Sequence, residues 1–368
     1  MNRLPQIDVL RAVAVVLVLG RHLRPCPEAV PAWVREPAGW WYRGGWTGVD
    51  LFFVLSGFLV SGLLFHEFAR SGRLRVGRFL VRRGFKIYPP FWLLLAYGLA
   101  LTVFRRQAID WPRFGIEAAF LQNYLPGLWE HTWSLAVEEH FYLALALGFS
   151  ALTAGRKPDP FRAVPWYFLA VAVICLGLRC ALASGPLDTY VHHFPTHLRL
   201  DSLGFGVLLA WLFHRHRDWS MAFAGRHRPR LLVAGALGFV PAFCWEIGQT
   251  PWLRTVGYTG LYVSAGLLLA GTLASGQPDG RLGILLARVG ASSYSLYLWH
   301  IPAERAANAF ASRLTDPAAA WLSYVVLYLA GTLVVGLAMA KLVEVPALRL
   351  RDRLFPAAAT PRVAVPGK

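Results

Sequence analysis

Two ionisable side chains, Arg11 and His22, stand eleven residues apart in an otherwise apolar run from Ile7 to Leu23. At about 100° per residue they return to nearly one helical face, roughly 16 Å apart along the axis. An imidazole titrates near neutral pH and can take a proton from a hydroxyl, whereas a guanidinium stays cationic. A second constellation is Trp133-Ser134-Leu135-Ala136-Val137-Glu138-Glu139-His140-Phe141-Tyr142. Ser134, Glu138 and Tyr142 are spaced by four, so they share a face and the carboxylate can hydrogen-bond along its own helix. Asp50 opens an apolar run from Gly48 to Phe58, and Arg82, Arg83 and Lys86 precede another. Guanidinium forks match phosphate oxygens, so that cationic stretch could hold a phosphorylated cofactor. His197 and Asp201 lie one turn apart, and His300 ends the run Ser293-Tyr294-Ser295-Leu296-Tyr297-Leu298-Trp299-His300.

Each reading has a plainer rival. Arg11 and His22 could anchor the two ends of a helix at an interface, Glu138 could serve a structural salt bridge, and Asp50 could cap its helix. What favours a site is cost: an ionisable group inside an apolar membrane helix is unfavourable by about 2.5–3.5 kcal/mol, so it faces a cavity or a partner. The His192-His193 pair has no third ligand nearby and is not read as a metal site.

The elements that must position these groups follow from composition. The 368 residues are 56% hydrophobic and 15% charged, leaving too little polar surface for a soluble domain of this size. Apolar segments long enough for a bilayer core recur at about Ile7–Leu23, Gly48–Phe65, Ile87–Phe104, Trp133–Leu152, Val164–Ala183, Leu198–Phe213, Leu231–Trp245, Thr255–Ala274, Val289–Ala303 and Trp321–Val343. The expected fold is therefore an all-α integral membrane bundle of about ten transmembrane helices, one domain over residues 1–355 with a loose cytoplasmic tail over 356–368. The first segment is read as a retained helix, because Asp8 and Arg11 interrupt it and no small-residue cleavage site follows Leu23.

Arginine sets the orientation. Arg70, Arg73, Arg75, Arg78, Arg82 and Arg83 follow the second segment; Arg156, Lys157 and Arg162 follow the fourth; Arg215, Arg217, Arg226, Arg228 and Arg230 follow the sixth. The positive-inside rule puts these connections, and both termini, in the cytoplasm. The connection from Gly185 to Thr196 has no Lys or Arg, although the one from Arg105 to His131 carries three arginines. The net charge of +17 thus tracks topology, and nucleic-acid binding is not expected. The cysteines, Cys26, Cys175, Cys180 and Cys244, show no metal-like spacing and are read as packing residues.

Taken together, these motifs resemble the membrane acyltransferase-3 family, bacterial acyltransferases of surface sugars and related molecules. The matching features are the arginine and histidine separated by ten residues (Arg11, His22), the Gly48–Phe58 run, the Trp133–Tyr142 run and the Ser293–Pro302 ending, in that order. One departure is that the family's Arg-x-x-Arg appears as Arg83 followed by Lys86, which keeps the charge and loses one bidentate fork. A second is that the chain ends soon after the tenth segment, without the extracytoplasmic hydrolase-like domain of some relatives. Transfer is then expected to be completed by the membrane domain alone or with a separate extracytoplasmic partner.

The resemblance implies a multi-pass protein of the bacterial cytoplasmic membrane that moves an acyl group, most often acetyl, from acyl-CoA to a hydroxyl of a carbohydrate or glycoconjugate acceptor, with no metal. His22 is then the expected general base, oriented by Glu138 with Glu139, while Arg11 and Asp50 complete the catalytic set. Arg83, Lys86, Arg82 and Arg11 would attract the donor, and Ser134, Tyr142, Asp201 and His300 would contact substrate. Because His22 lies toward the outer face, either the pantetheine arm reaches through a central pore or the acyl group is handed across; a covalent acyl-histidine is the less favoured variant. The competing class is a transporter or flippase of a lipid-linked or anionic substrate, which inverted repeats with broken helices would mark; none is seen in the sequence.

Overall fold

The computed structural model describes residues 4–155 and 158–356, and among them every regular element is helical. Arg3, Arg156, Lys157 and the tail from residue 357 lie outside the described residues. The helices are α1 (Pro5–Arg21), α2 (Ala32–Gly44), α3 (Thr47–Ser71), α4 (Val76–Phe104), α5 (Trp111–Ala118), α6 (Trp133–Ala154), α7 (Val164–Ala181), α8 (Thr189–His192), α9 (Leu200–Arg215), α10 (Arg217–Leu237), α11 (Val240–Cys244), α12 (Tyr258–Leu273), α13 (Gly280–Ala291), α14 (Ser293–Ala311), α15 (Pro317–Met339) and α16 (Val345–Leu354). Among the described residues, six stretches are long and apolar enough to cross a membrane: Thr47–Ser71, Val76–Phe104, Glu130–Ala154, Val164–Ala181, Leu253–Leu273 and Pro317–Leu354.

α3 is the axis of the bundle. It is apolar nearly all round, with Leu51, Phe53, Val54, Leu55, Val60, Leu64 and Phe65 all buried, as expected for a helix covered on every side. Its closest neighbour is α9, and the approach is set by two glycines: a Cβ on Gly57 would strike the carbonyl of Leu203, and one on Gly206 the carbonyl of Val54. Small residues at such a crossing let backbones meet where a bilayer offers no hydrophobic drive between helices. The left-handed Gly72 (φ +63°) then stops α3, its amide returning to the Phe68 carbonyl. The outer helices behave oppositely. α7 keeps Trp166, Val173 and Ile174 exposed, an apolar face suited to hydrocarbon rather than to water.

Two expected segments divide differently. The Leu231–Trp245 run is broken between α10, which ends at Leu237, and the short α11. The Val289–Ala303 segment straddles the junction of α13 and α14 at Ser292, and α14 continues to Ala311. The junction is fixed by Gly290, whose α-carbon lies against the backbone of Asp8 in α1, with no room for a side chain. α2 was not expected. Its C-terminal residue Gly44 backs onto Phe243, and the next residue, Gly45, presses against the backbone of α1. All four cysteines are free thiols.

Candidate active site

α1, α3, α4, α6 and α14 enclose a first cavity of about 100 Å³. Its polar lining is Arg11, Ser56, Arg83, Lys86, Ser134 and Glu138, with Ser293, Tyr294 and Tyr297 from α14. Two guanidinium groups and the Lys86 amine against one carboxylate make it electropositive. The sequence-predicted face of α6 is realised here: the Tyr142 hydroxyl donates to Glu138 Oε2 at 2.5 Å and lies 2.5 Å from the Ser56 hydroxyl. Arg83 rests over the Tyr142 ring, 4.2 Å from its centroid, and its buried Nε has no hydrogen-bond partner. Arg11 is steadied by Asp8 at 3.3 Å, one turn before it.

A second cavity of about 430 Å³ adjoins the first, and Val49 and Tyr297 line both. Its walls carry Arg21, His22, Trp46, Glu130, His131, Trp133, His193, Glu304 and Arg305. His22 caps the C-terminal end of α1, with its carbonyl held by the Tyr324 hydroxyl at 3.0 Å. Behind it lies His300, ring centroids 4.7 Å apart, and His300 in turn meets His131 edge-on at 5.0 Å. His131 Nε2 donates to the Leu298 carbonyl at 3.2 Å and His300 Nδ1 to the Tyr297 carbonyl. A carbonyl only accepts, so these contacts fix both tautomers and leave His131 Nδ1 and His300 Nε2 as bare, buried lone pairs. The fully buried His300 therefore presents a proton acceptor within the histidine stack that includes His22.

The connection that carries His131 is pinned by Glu117 of α5. This buried carboxylate accepts from the amides of Leu128 (2.9 Å) and Trp129 (3.3 Å) and from the Thr132 hydroxyl. Burial pushes its pKa up to about 7, against the opposing pull of those three donors. Across the second cavity, His193 bonds the Tyr258 hydroxyl, and burial beside Arg199 and Arg21 holds its pKa well below the usual imidazole range.

Several expected site residues sit elsewhere. Glu138 and His22 line different cavities, the first the electropositive one and the second its neighbour. Glu139 turns away to the Tyr88 hydroxyl at 3.0 Å. Asp50 faces Arg199 at 2.7 Å, both fully buried, and Asp201 pairs with Arg179 through two bonds of 3.0 and 2.7 Å. Neither aspartate lines either of these two cavities; the two pairs brace α3, α7 and α9. Arg82 is held by Asp352 (3.0 Å) and the Phe355 carbonyl, outside the first cavity. Arg11, Arg83, Lys86, Ser134, Glu138 and Tyr142 do converge, as do His22 and His300.

Sequence reasoning missed His131, Arg21, Glu117, Glu304 and Arg305. Two signals were present: His131 stands two residues before the Trp133 run, and Glu304 one helical turn after His300. Glu117 gave none, since only folding of a long connection brings it to residues 128–132.

Comparison with known proteins places the chain in a family. The acyltransferase domain family matches residues 4–341. The O-acetyltransferase OatA of Staphylococcus aureus (strain NCTC 8325 / PS 47) is 29% identical over 329 residues, covering 81% of this chain and 50% of that protein. A putative O-acetyltransferase, SACOL0978, of S. aureus (strain COL) is 28% identical, covering 82% of this chain and 50% of its own length. The chain thus spans about half the length of the curated relatives it matches. No solved structure matches. With its motif order, its two adjoining cavities and a match over residues 4–341, the chain belongs to the acyltransferase domain family.

Proposed function

We propose that the protein is a multi-pass membrane O-acyltransferase that moves an acyl group, acetyl in the first instance, from acyl-CoA to a hydroxyl of a carbohydrate-like acceptor. The observation that carries this reading is the pair of adjoining cavities: one small and cationic, the other larger and histidine-lined, meeting at Val49 and Tyr297. The cationic lining of the first cavity suits the donor, with the nucleotide left nearer the arginine-rich start of α4. The larger cavity suits a sugar.

In this scheme His22 takes the proton of the acceptor hydroxyl as that oxygen attacks the thioester carbonyl. The C–O bond forms, the C–S bond breaks, and the departing thiolate recovers the proton from the imidazolium. His300, with its acceptor nitrogen bare, replaces Glu138 as the group that steadies a charged His22. Glu138, through Tyr142, instead sets Ser56 and Arg83 along the path of the arm.

About ten spans with both termini in the cytoplasm, in a bacterial cytoplasmic membrane, fit this polarity. The start of α4 then faces the cytosolic donor and His22 the opposite side. A separate extracytoplasmic partner would extend the transfer to distant acceptors. The test is transfer of labelled acetyl from acetyl-CoA to surface glycans in membrane vesicles, with wild type against His22→Ala. Loss of ester formation by at least about 100-fold is expected from removal of a general base. Normally inserted His22→Ala protein that transfers at the wild-type rate would remove the assignment.

A further inference from the structure

The second cavity contains a cation that the proposed chemistry does not use. Arg21 leaves α1 one residue before His22, and its guanidinium lies over the Tyr42 ring of α2, 4.7 Å from the centroid. Its Nη1 is buried without a hydrogen-bond partner, and no carboxylate among the described residues approaches it within ion-pair distance. A buried, unpaired guanidinium nitrogen is unfavourable, and native proteins normally satisfy such groups. At the rim, Arg305 lies over the Trp129 ring at 4.4 Å and likewise has no ion-pair partner among the described residues. Aromatic rings thus hold both guanidinium groups from one side and leave their edges for a planar anion. Of the carboxylates in the same cavity, Glu304 acts on its neighbour Arg305 and not on Arg21, and Glu130 is exposed to solvent.

We propose that Arg21 and Arg305 form an anion subsite for the acceptor, so that the preferred substrate is a glycan bearing a carboxylate close to the hydroxyl that is acylated. The inference rests on the acyl-transfer reading and sharpens it by naming the acceptor's charge. Arg21 is the stronger contact, because it is partly buried, whereas the exposed Arg305 is screened by salt. A carboxylate paired with the Arg21 guanidinium would hold the acceptor beside His22.

The experiment uses membrane vesicles containing the full chain, labelled acetyl-CoA, and surface glycans of the producing cells in three forms: untreated, reduced at their carboxyl groups to alcohols, and stripped of phosphate. Expected is wild-type transfer to the untreated and phosphate-stripped pools, with a roughly 10- to 100-fold lower kcat/KM for the carboxyl-reduced pool, the range of a lost hydrogen bond to a charged group. Arg21→Gln should abolish that discrimination by raising KM for the untreated pool, and Arg21→Lys should keep part of it. Equal wild-type transfer to the reduced and untreated pools overturns the proposal. So does loss of transfer confined to the phosphate-stripped pool, which would make the recognised anion a phosphate. If Arg21→Gln lowers kcat on every pool alike, Arg21 stabilises the reacting centre and the subsite assignment fails. No transfer to any pool by wild type refutes the underlying acyl-transfer reading instead.

Discussion

Replacing Glu117 by Gln tests the connection that positions His131. In the folded protein the Glu117 carboxyl is pushed from its ordinary 4.5 up to about 7, chiefly by burial. At about 1.4 kcal/mol per tenfold change in proton affinity, that displacement corresponds to about 3 kcal/mol. The sign follows from proton linkage: the folded segment holds the proton more tightly than the unfolded one, so it is favoured by acid. The contribution is fully present below about pH 4.5 and is lost as pH rises through about 7. Glutamine keeps an acceptor for the amides of Leu128 and Trp129 but cannot ionise, so its protection should not fall with pH. The assay is hydrogen exchange of residues 117–133 in detergent micelles, corrected for the intrinsic rate, at roughly pH 5 and pH 8. Wild-type protection should drop by up to about 100-fold between the two, while the Gln variant stays level. Wild-type protection that does not change with pH, or a Gln variant with the wild-type slope, would refute the argument.

Two further outcomes follow from the buried polar contacts. Asp50→Asn strips Arg199 of its counter-charge and should cost about 3–5 kcal/mol in detergent unfolding, whereas the double change Asp50→Asn with Arg199→Met should recover most of that loss. Tyr142→Phe removes the hydroxyl that joins Glu138 to Ser56 and should raise the donor KM by roughly tenfold, with insertion and unfolding midpoint little changed; initial rates across acetyl-CoA concentrations report it.

What the sequence determined by itself was the class of molecule and the polar positions within its apolar runs. Apolar runs of bilayer length recur because every backbone group in hydrocarbon must be satisfied within its own helix, and that requirement is local enough to be legible. The i, i+4 bond from Tyr142 to Glu138 was equally legible, since a helix sets it without outside help. Partner choice between helices was not. Asp50 and Asp201 looked like site residues because an isolated charge in an apolar run signals function, yet each meets an arginine, Arg199 or Arg179, that spacing along the chain cannot pair. His22 and Glu138 were paired only through the family resemblance. The tertiary structure decided otherwise, giving His22 to His300 and Glu138 to Tyr142, because side chains on separate helices meet only when packing has fixed their relative depth. The two glycine contacts between α3 and α9, and the seat of Gly290 against α1, are what fix it. Loops were the least legible: Glu117 and His131 are brought to the cavity by a connection whose path is set only once the helices at both ends are in place.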